Sequence, residues 1–273
     1  MGYEFLKGHG TENDFVLLPD LDGSVHGELS AEAMAQRVRR LCDRRAGIGG
    51  DGVLRVVRAM SPDAPWFMDY RNADGSLSEM CGNGIRVFVR YLVEQGLARA
   101  GVPIAVDTRD GVKTLTVDGD LITADMGTPK VLGETAVTAD DITWAARQVD
   151  MGNPHAVAFV DTLDEPGRLW DPPAYDPSVY PNGVNVEFVV RRGERHIAMR
   201  VHERGSGETR SCGTGACAAM VATAVADDAR VAGEDLAYRV DVPGGTLTVT
   251  WTADDRVLLT GPAVIVATGQ TEL

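Results

Sequence analysis

The sequence lacks a basic excess, a long apolar run and a high cysteine content. It carries 26 Lys and Arg against 40 Asp and Glu in 273 residues, a net charge of −14. The basic stripes that bind a nucleic-acid backbone are therefore missing. No run reaches the roughly 20 apolar residues that cross a membrane, and the first ten residues hold no apolar signal core. Four cysteines are too few for a disulfide scaffold, so we expect a soluble, cytoplasmic protein.

Two of the four cysteines stand in matching settings. Cys81 opens the tetrapeptide Cys-Gly-Asn-Gly and Cys212 opens Cys-Gly-Thr-Gly, and an apolar run follows each. A cysteine just before a helix meets unpaired N–H groups and the positive end of the helix dipole, which lowers the pKa of a thiol. Glycines at these places let backbone approach a ligand. The pattern indicates two acid–base groups that act on one substrate from opposite sides.

The surroundings of the two cysteines repeat. An asparagine precedes an apolar stretch early in each half, at Asn13 and Asn153. A strand and a turn lie upstream of each cysteine, and a strand–turn–strand unit lies downstream. The predicted strands are 66–70, 104–107 and 114–117 in the first half, and 196–201, 238–241 and 246–249 in the second.

The repeat predicts an α+β fold of two pseudo-symmetric domains, each a mainly antiparallel sheet wrapped around a central buried helix. The central helices are expected over residues 82–95 and 213–226, because the apolar residues of the first stretch fall on several faces and the second is rich in alanine and valine and lacks charge. We place the domains at residues 1–126 and 127–262, with the tail 263–273 returning to the first. Two-fold symmetry would bring both helix N-termini to an interdomain cleft. A further helix is predicted over Ala31–Cys42, with Ser30 as its N-cap.

Other candidate motifs have weaker support. Cys42 and Cys217 are interpreted as small buried apolar residues, and the dispersed histidines give no metal site. Residues 47–52 match a dinucleotide-binding fingerprint, but a strand-like stretch follows where a helix is needed, so we interpret them as a turn and expect no cofactor. His155 could orient a thiol or be an ordinary loop histidine. Glu203 and Arg204 fit either surface charge or a zwitterion-binding site.

Taken together, these motifs resemble the diaminopimelate epimerase family in order and spacing. The matching segments are Asn13-Asp14-Phe15, Asn72-Ala73-Asp74-Gly75-Ser76, Cys81-Gly82-Asn83-Gly84, Gly152-Asn153-Pro154-His155, Glu203-Arg204-Gly205 and Cys212-Gly213-Thr214-Gly215-Ala216. The resemblance implies two pseudo-symmetric α/β domains and a pyridoxal-phosphate-independent epimerase without metal or cofactor. It implies that L,L-2,6-diaminopimelate becomes the meso isomer, as in lysine and peptidoglycan precursor synthesis, and that the enzyme is a homodimer.

The resemblance also implies roles for individual residues. Cys81 and Cys212 are the two bases, and His155 and Glu203 assist the thiols or fix the amine. One thiolate removes the α-proton while the other thiol delivers a proton to the opposite face. The substrate contacts implied are Asn13, Asn72, Asn153, Asn185, Glu203 and Arg204, with backbone at Gly82, Asn83, Gly213 and Thr214.

Two positions depart from the family pattern. Gly52 stands where many members have glutamine, and Glu12 stands where glycine is common. Three other functions remain open on the residues: a proline or hydroxyproline racemase-like enzyme, a non-catalytic amino-acid-binding protein, and a cysteine hydrolase. A non-catalytic amino-acid-binding protein would not need two cysteines at helix starts, and a cysteine hydrolase has no use for a second cysteine.

Overall fold

The computed structural model describes residues 2–273 and divides the chain into two compact units. The N-terminal unit holds the chain up to Ala124 together with Gly261–Leu273, and the C-terminal unit is Asp125–Thr260. Strands and helices follow in chain order. They are β1 (Tyr3–Gly10), β2 (Asn13–Pro19), α1 (Ala31–Cys42), β3 (Gly52–Arg58), β4 (Trp66–Asn72), α2 (Gly82–Glu94), β5 (Ile104–Asp107), β6 (Lys113–Asp118), β7 (Leu121–Asp125), β8 (Lys130–Ala139), β9 (Ile142–Asp150), β10 (Pro154–Phe159), β11 (Ala174–Tyr175), β12 (Asn185–Gly193), β13 (His196–Glu203), β14 (Gly207–Thr209), α3 (Gly213–Ala226), β15 (Leu236–Val242), β16 (Gly245–Trp251), β17 (Val257–Pro262) and β18 (Val264–Thr271).

Both units use the same strand order. From β1 to β7, neighbours pair antiparallel, parallel, antiparallel, parallel, antiparallel and antiparallel. The series β9, β10, β12, β13, β15, β16 and β17 repeats this succession. β18 completes the N-terminal sheet by pairing antiparallel with β1. The predicted fold class, with two repeated sheet-and-helix halves, is confirmed.

A buried helix lies in each unit, as predicted. Every residue of α2 from Gly82 to Val89 is buried, and so is nearly all of α3, which is built mostly of alanine and valine. Small side chains allow α3 to lie close to the strands that surround it, because interiors are packed without large voids. The observed helices match the predicted ones to within one residue. Between residues 2 and 273, no helix is long and apolar enough to cross a membrane.

Helix α1 belongs to the N-terminal unit alone. Ser30 caps it by accepting a hydrogen bond from the backbone N–H of Ala33 at 3.2 Å, as the sequence predicts. Its apolar face, which includes Met34, Val38 and Leu41, packs on buried residues of the sheet. The corresponding crossover of the C-terminal unit, between β10 and β12, contains the short strand β11 and no helix.

Candidate active site

Cys81 is the N-cap of α2 and has extended backbone angles (φ −142°, ψ 121°). Its Sγ accepts a hydrogen bond from the N–H of Gly84 at 3.4 Å. The thiol therefore occupies the place that an oxygen-bearing side chain usually takes at a helix start. Gly82 and Asn83 follow in the first turn of the helix, whose backbone N–H groups have no helical carbonyl four residues earlier. Partial exposure of Cys81 leaves this end of the helix open to a ligand.

Asn13 holds the thiol of Cys81 from the neighbouring strand. Its Oδ1 lies 3.6 Å from Cys81 Sγ and accepts a hydrogen bond from Asn83 Nδ2 at 3.1 Å. Its Nδ2 donates to Asp51 Oδ2 at 2.7 Å. A carboxylate can only accept, so Asp51 fixes the amide with its carbonyl towards the sulfur. Asp51 was missed at the sequence level, where its turn was examined only as a cofactor fingerprint.

Asn72 ends β4 in register with Gly52, which is itself in register with Phe15 of β2. Its Nδ2 donates to Ser76 Oγ at 3.0 Å, and its backbone N–H donates to the carbonyl of Ser76 at the same distance. Asn72 thus closes the turn that the motif Asn-Ala-Asp-Gly predicts. A Cβ added at Gly52 would lie 2.6 Å from the carbonyl oxygen of Arg71, so this backbone leaves no room for a side chain at that position.

Cys212 repeats the geometry of Cys81 in the C-terminal unit. It is the N-cap of α3 (φ −117°, ψ 119°), and its Sγ accepts from the N–H of Gly215 at 3.3 Å. The hydroxyl of Thr214 lies 3.5 Å from the same sulfur. Unlike Cys81, Cys212 is buried, with 5% of its surface exposed.

The carboxyl of Glu203 lies close to the Cys212 thiol and accepts a hydrogen bond from the hydroxyl of Thr209. Burial raises the pKa of Glu203, although the interactions with Thr209 and Cys212 oppose the rise. Burial also raises the pKa of Cys212 well above that of an ordinary thiol, and the carboxylates of Glu203 and Glu187 raise it further. The lowered pKa expected for a helix-capping thiol is therefore wrong for Cys212, because desolvation outweighs the helix N-terminus.

A chain of three buried or half-buried side chains leads away from Thr214. Asn153 Nδ2 donates to Thr214 Oγ1 at 3.3 Å, and Asn153 Oδ1 lies 3.0 Å from His155 Nε2. His155 Nδ1 lies 2.7 Å from Glu187 Oε1, and neither residue is exposed to solvent. His155 is thus placed through Asn153 beside the Cys212 helix start. Glu187 was missed, although a lone glutamate between valine and phenylalanine in an apolar strand is a usable signal.

Asn185 and Arg204 lie at the ends of adjacent strands. Asn185 Nδ2 donates to the carbonyl of Pro154 at 3.2 Å, and its Oδ1 accepts from the backbone N–H of Arg204 at 2.9 Å. One guanidinium nitrogen of Arg204 donates to the carbonyl of Asn182 at 3.1 Å. Asn185 therefore fixes the backbone from which the exposed Arg204 side chain extends.

The remaining cysteines have surroundings that suit core residues. Burial raises the pKa of Cys42 to about 12, which makes its thiol unreactive, and Cys217 is fully buried within α3. In the glycine-rich stretch 47–52, residues 47–51 form a loop and strand β3 begins at Gly52, as the sequence predicts for a turn before a strand. Among residues 2–273, no three His, Cys, Asp or Glu side chains cluster as they would around a metal ion.

Comparison with known proteins identifies the family of the chain. The family described as Diaminopimelate epimerase matches residues 5–132 and 147–266. Diaminopimelate epimerase of Streptomyces coelicolor is 56% identical, over 97% of this chain and 94% of its own length. That of Thermobifida fusca is 46% identical over 98% of each chain.

Solved structures at lower identity share the fold. A phenazine biosynthesis protein of the PhzF family from Bacillus anthracis superposes with a TM-score of 0.75 over the whole of both chains at 16% identity. A hydroxyproline epimerase from Agrobacterium vitis superposes with a TM-score of 0.69 at 15% identity, over 99% of this chain and 92% of its own. These likenesses concern architecture only. The sequence matches carry the assignment, and the chain belongs to the diaminopimelate epimerase family.

Proposed function

We propose that the protein is an isomerase that converts L,L-2,6-diaminopimelate to the meso isomer by a two-base reaction at one α-carbon. The observation that carries this proposal is the repeated cysteine N-cap, at Cys81 and at Cys212, each with a glycine N–H donated to its sulfur. Two equivalent thiols suit removal of a proton from one face and delivery to the other. The names of relatives up to 56% identical support this substrate.

The proposed reaction needs no pyridoxal phosphate, because the protein stabilises the carbanion itself. The N–H groups of Gly82 and Asn83, and those of Gly213 and Thr214, are suited to hold the α-carboxylate, on which negative charge develops. Fixed dipoles of this kind need no reorganisation during the reaction.

Polar side chains around the thiols supply proton handling and specificity. Glu203, whose carboxyl lies close to Cys212, accepts the thiol proton or holds the substrate amine, and His155 supports the same site through Asn153. The Arg204 guanidinium suits bidentate binding of the distal carboxylate. Asn13, Asn72 and Asn185 complete the proposed substrate contacts. We further propose a cytoplasmic homodimer in lysine and peptidoglycan precursor synthesis, with the oligomer testable by light scattering.

An isotope experiment tests the function. The protein is incubated in deuterated water with L,L-diaminopimelate, with the meso isomer and with L-proline, and both α-deuterium incorporation and isomer ratio are followed. Cys81→Ala and Cys212→Ala should each abolish epimerisation, while Cys42→Ala, which alters a buried thiol outside the site, should retain it. Normal epimerisation by either active-site variant would refute the two-base reaction. Turnover of proline alone would reassign the substrate.

A further inference from the structure

The internal repeat provides a comparison between the surroundings of the two helix starts. In the N-terminal unit Phe15 of β2 pairs in parallel with Gly52 of β3, and Asn13 stands two residues before Phe15. In the C-terminal unit His155 of β10 pairs in parallel with Asn185 of β12, and Asn153 stands two residues before His155. By these registers His155 is the counterpart of Phe15. Glu187, two residues after Asn185, is the counterpart of Leu54.

Contacts with the helix starts support this correspondence. A Cβ placed on Gly84 of α2 would meet Leu54 Cδ2 at 3.3 Å and Phe15 Cζ at 3.4 Å. A Cβ placed on Gly215 of α3 would meet Glu187 Oε1 at 2.7 Å. All four side chains are fully buried. The helix that begins at Cys81 therefore rests on an apolar pair, whereas the helix that begins at Cys212 rests on an imidazole and a carboxyl group.

Burying a carboxyl–imidazole pair costs more desolvation free energy than burying an apolar pair of similar size. Replacing buried ionic groups by apolar ones is often neutral or stabilising, so the pair is not explained by stability. Moreover, Glu187 Oε2 is buried and accepts no hydrogen bond from any residue between 2 and 273. The first repeat shows that this fold accommodates the apolar alternative at the same positions, so a role in the site is the better explanation.

The carboxyl group of Glu187 lies near the reactive sulfur. The Cβ position of Gly215 is 2.7 Å from Glu187 Oε1 and 3.3 Å from Cys212 Sγ. These two atoms are therefore within about 6 Å, where unit charges interact strongly inside a protein. A carboxylate at that place opposes the formation of a thiolate by charge repulsion.

We propose that Glu187 is a positioning residue that keeps Cys212 protonated and so makes it the proton donor of the resting pair. The proposal rests on the proposed function for the role of Cys212, and it concerns a residue that does not touch the reacting atoms. The charged groups facing Cys212 are Glu203 from β13 and Glu187 from β12; His155 from β10 lies close to both carboxyl groups, and Tyr180 lies close to Glu187. The carboxylates of Glu203 and Glu187 both disfavour the thiolate form of Cys212. The N-terminal repeat has the apolar Leu54 at the position of Glu187.

Alkylation kinetics test this without substrate. In the full-length Cys81→Ser protein, the rate of Cys212 carbamidomethylation by iodoacetamide is followed from pH 6 to 10.5 by peptide mass spectrometry, which separates Cys212 from Cys42 and Cys217. Glu187→Gln should raise the rate at pH 8 by about tenfold, as expected for a thiol whose pKa falls by about one. Glu187→Asp, which keeps the charge, should leave the rate within threefold of the parent.

A double variant tests the same proposal without placing an amide in the buried position of Glu187. His155→Phe combined with Glu187→Leu copies the apolar pair of the N-terminal unit and should accelerate alkylation in the same way. An increase below threefold in both Glu187→Gln and the double variant would overturn the proposal, and if Glu187→Gln does not fold, the double variant alone decides. Since no substrate is used, this result is independent of the isotope experiment: epimerisation with unchanged alkylation refutes the role of Glu187 alone.

Discussion

Replacement of Glu203 by glutamine separates its chemical role from its structural one. The change keeps the shape of the side chain and the Oε1 that accepts a hydrogen bond from Thr209. It removes the carboxylate that lies close to Cys212 and could take up its proton. A positioned acid–base group contributes roughly 10²- to 10⁴-fold to a rate. We therefore expect kcat to fall by that factor, equivalent to about 2.7–5.4 kcal/mol of activation free energy.

The same substitution should lower kcat but raise the unfolding free energy relative to the parent at high pH. Because burial raises the pKa of Glu203 above its ordinary value of 4.5, the folded protein holds the proton more tightly than the unfolded chain. The stabilisation from this group is fully present below about pH 4.5 and is lost as the pH rises through the folded-state value. Glutamine does not titrate here, so the variant should gain stability relative to the parent as the pH rises.

The two measurements are kcat for each isomer and the unfolding free energy by denaturant at pH 4.5 and pH 8. The reasoning predicts a much slower enzyme whose stability relative to the parent is greater at pH 8 than at pH 4.5. Retention of more than a tenth of the parental kcat would refute the acid–base role. A larger stability deficit at pH 8 than at pH 4.5 would refute the assigned direction of the Glu203 shift.

Two further predictions concern the positions that depart from the family pattern. Glu12→Gly should raise the unfolding free energy by up to about 1 kcal/mol, because Thr11 and Glu12 form a two-residue hairpin turn with φ of 48° and 61°, a region that costs a side chain more than it costs glycine. Lower stability of this variant in thermal unfolding would contradict the strain argument. Gly52→Ala should lower the unfolding free energy by about 1–3 kcal/mol, because its Cβ would lie 2.6 Å from the carbonyl of Arg71 and 2.8 Å from the Tyr70 ring. If Gly52→Ala has the same unfolding free energy as the parent in denaturant, β3 shifts freely to accommodate the added Cβ and the argument is wrong.

Local patterns were sufficient to predict the helices and the cysteine sites. The starts of α2 and α3 were predictable because a small capping residue, two glycines and an apolar run follow one another along the chain. The repeat was predictable for the same reason, since its turns and strands recur in order. The domain limits, which were inferred from the repeat, and the substrate contacts, which the resemblance implies, stay predictions, because they depend on more than local pattern.

Long-range register accounts for what the sequence did not reveal. Asp51 contacts Asn13 only because β2 and β3 pair in parallel with Phe15 opposite Gly52. Glu187 contacts His155 only because β10 and β12 pair in the same way. Burial is equally invisible in a local pattern, which is why the expected low pKa of Cys212 was wrong: the helix start was predicted correctly, but the desolvation around it was not.

The repeat also explains where asymmetry between the two thiols can arise. Each cysteine must cap a helix and leave glycine N–H groups open, so neither can vary without loss of the motif. Asn83 and Thr214, each two residues after its cysteine, differ in side-chain length, but each hydrogen-bonds an asparagine of its own unit, Asn13 at 3.1 Å and Asn153 at 3.3 Å. The residues on which the two helix starts rest have no such constraint from the substrate. At these positions the N-terminal unit has the apolar Phe15 and Leu54, whereas the C-terminal unit has His155 and Glu187. A reaction that needs one thiolate and one thiol can therefore be built on a symmetric frame, with the difference in ionisation set by residues that the substrate never contacts.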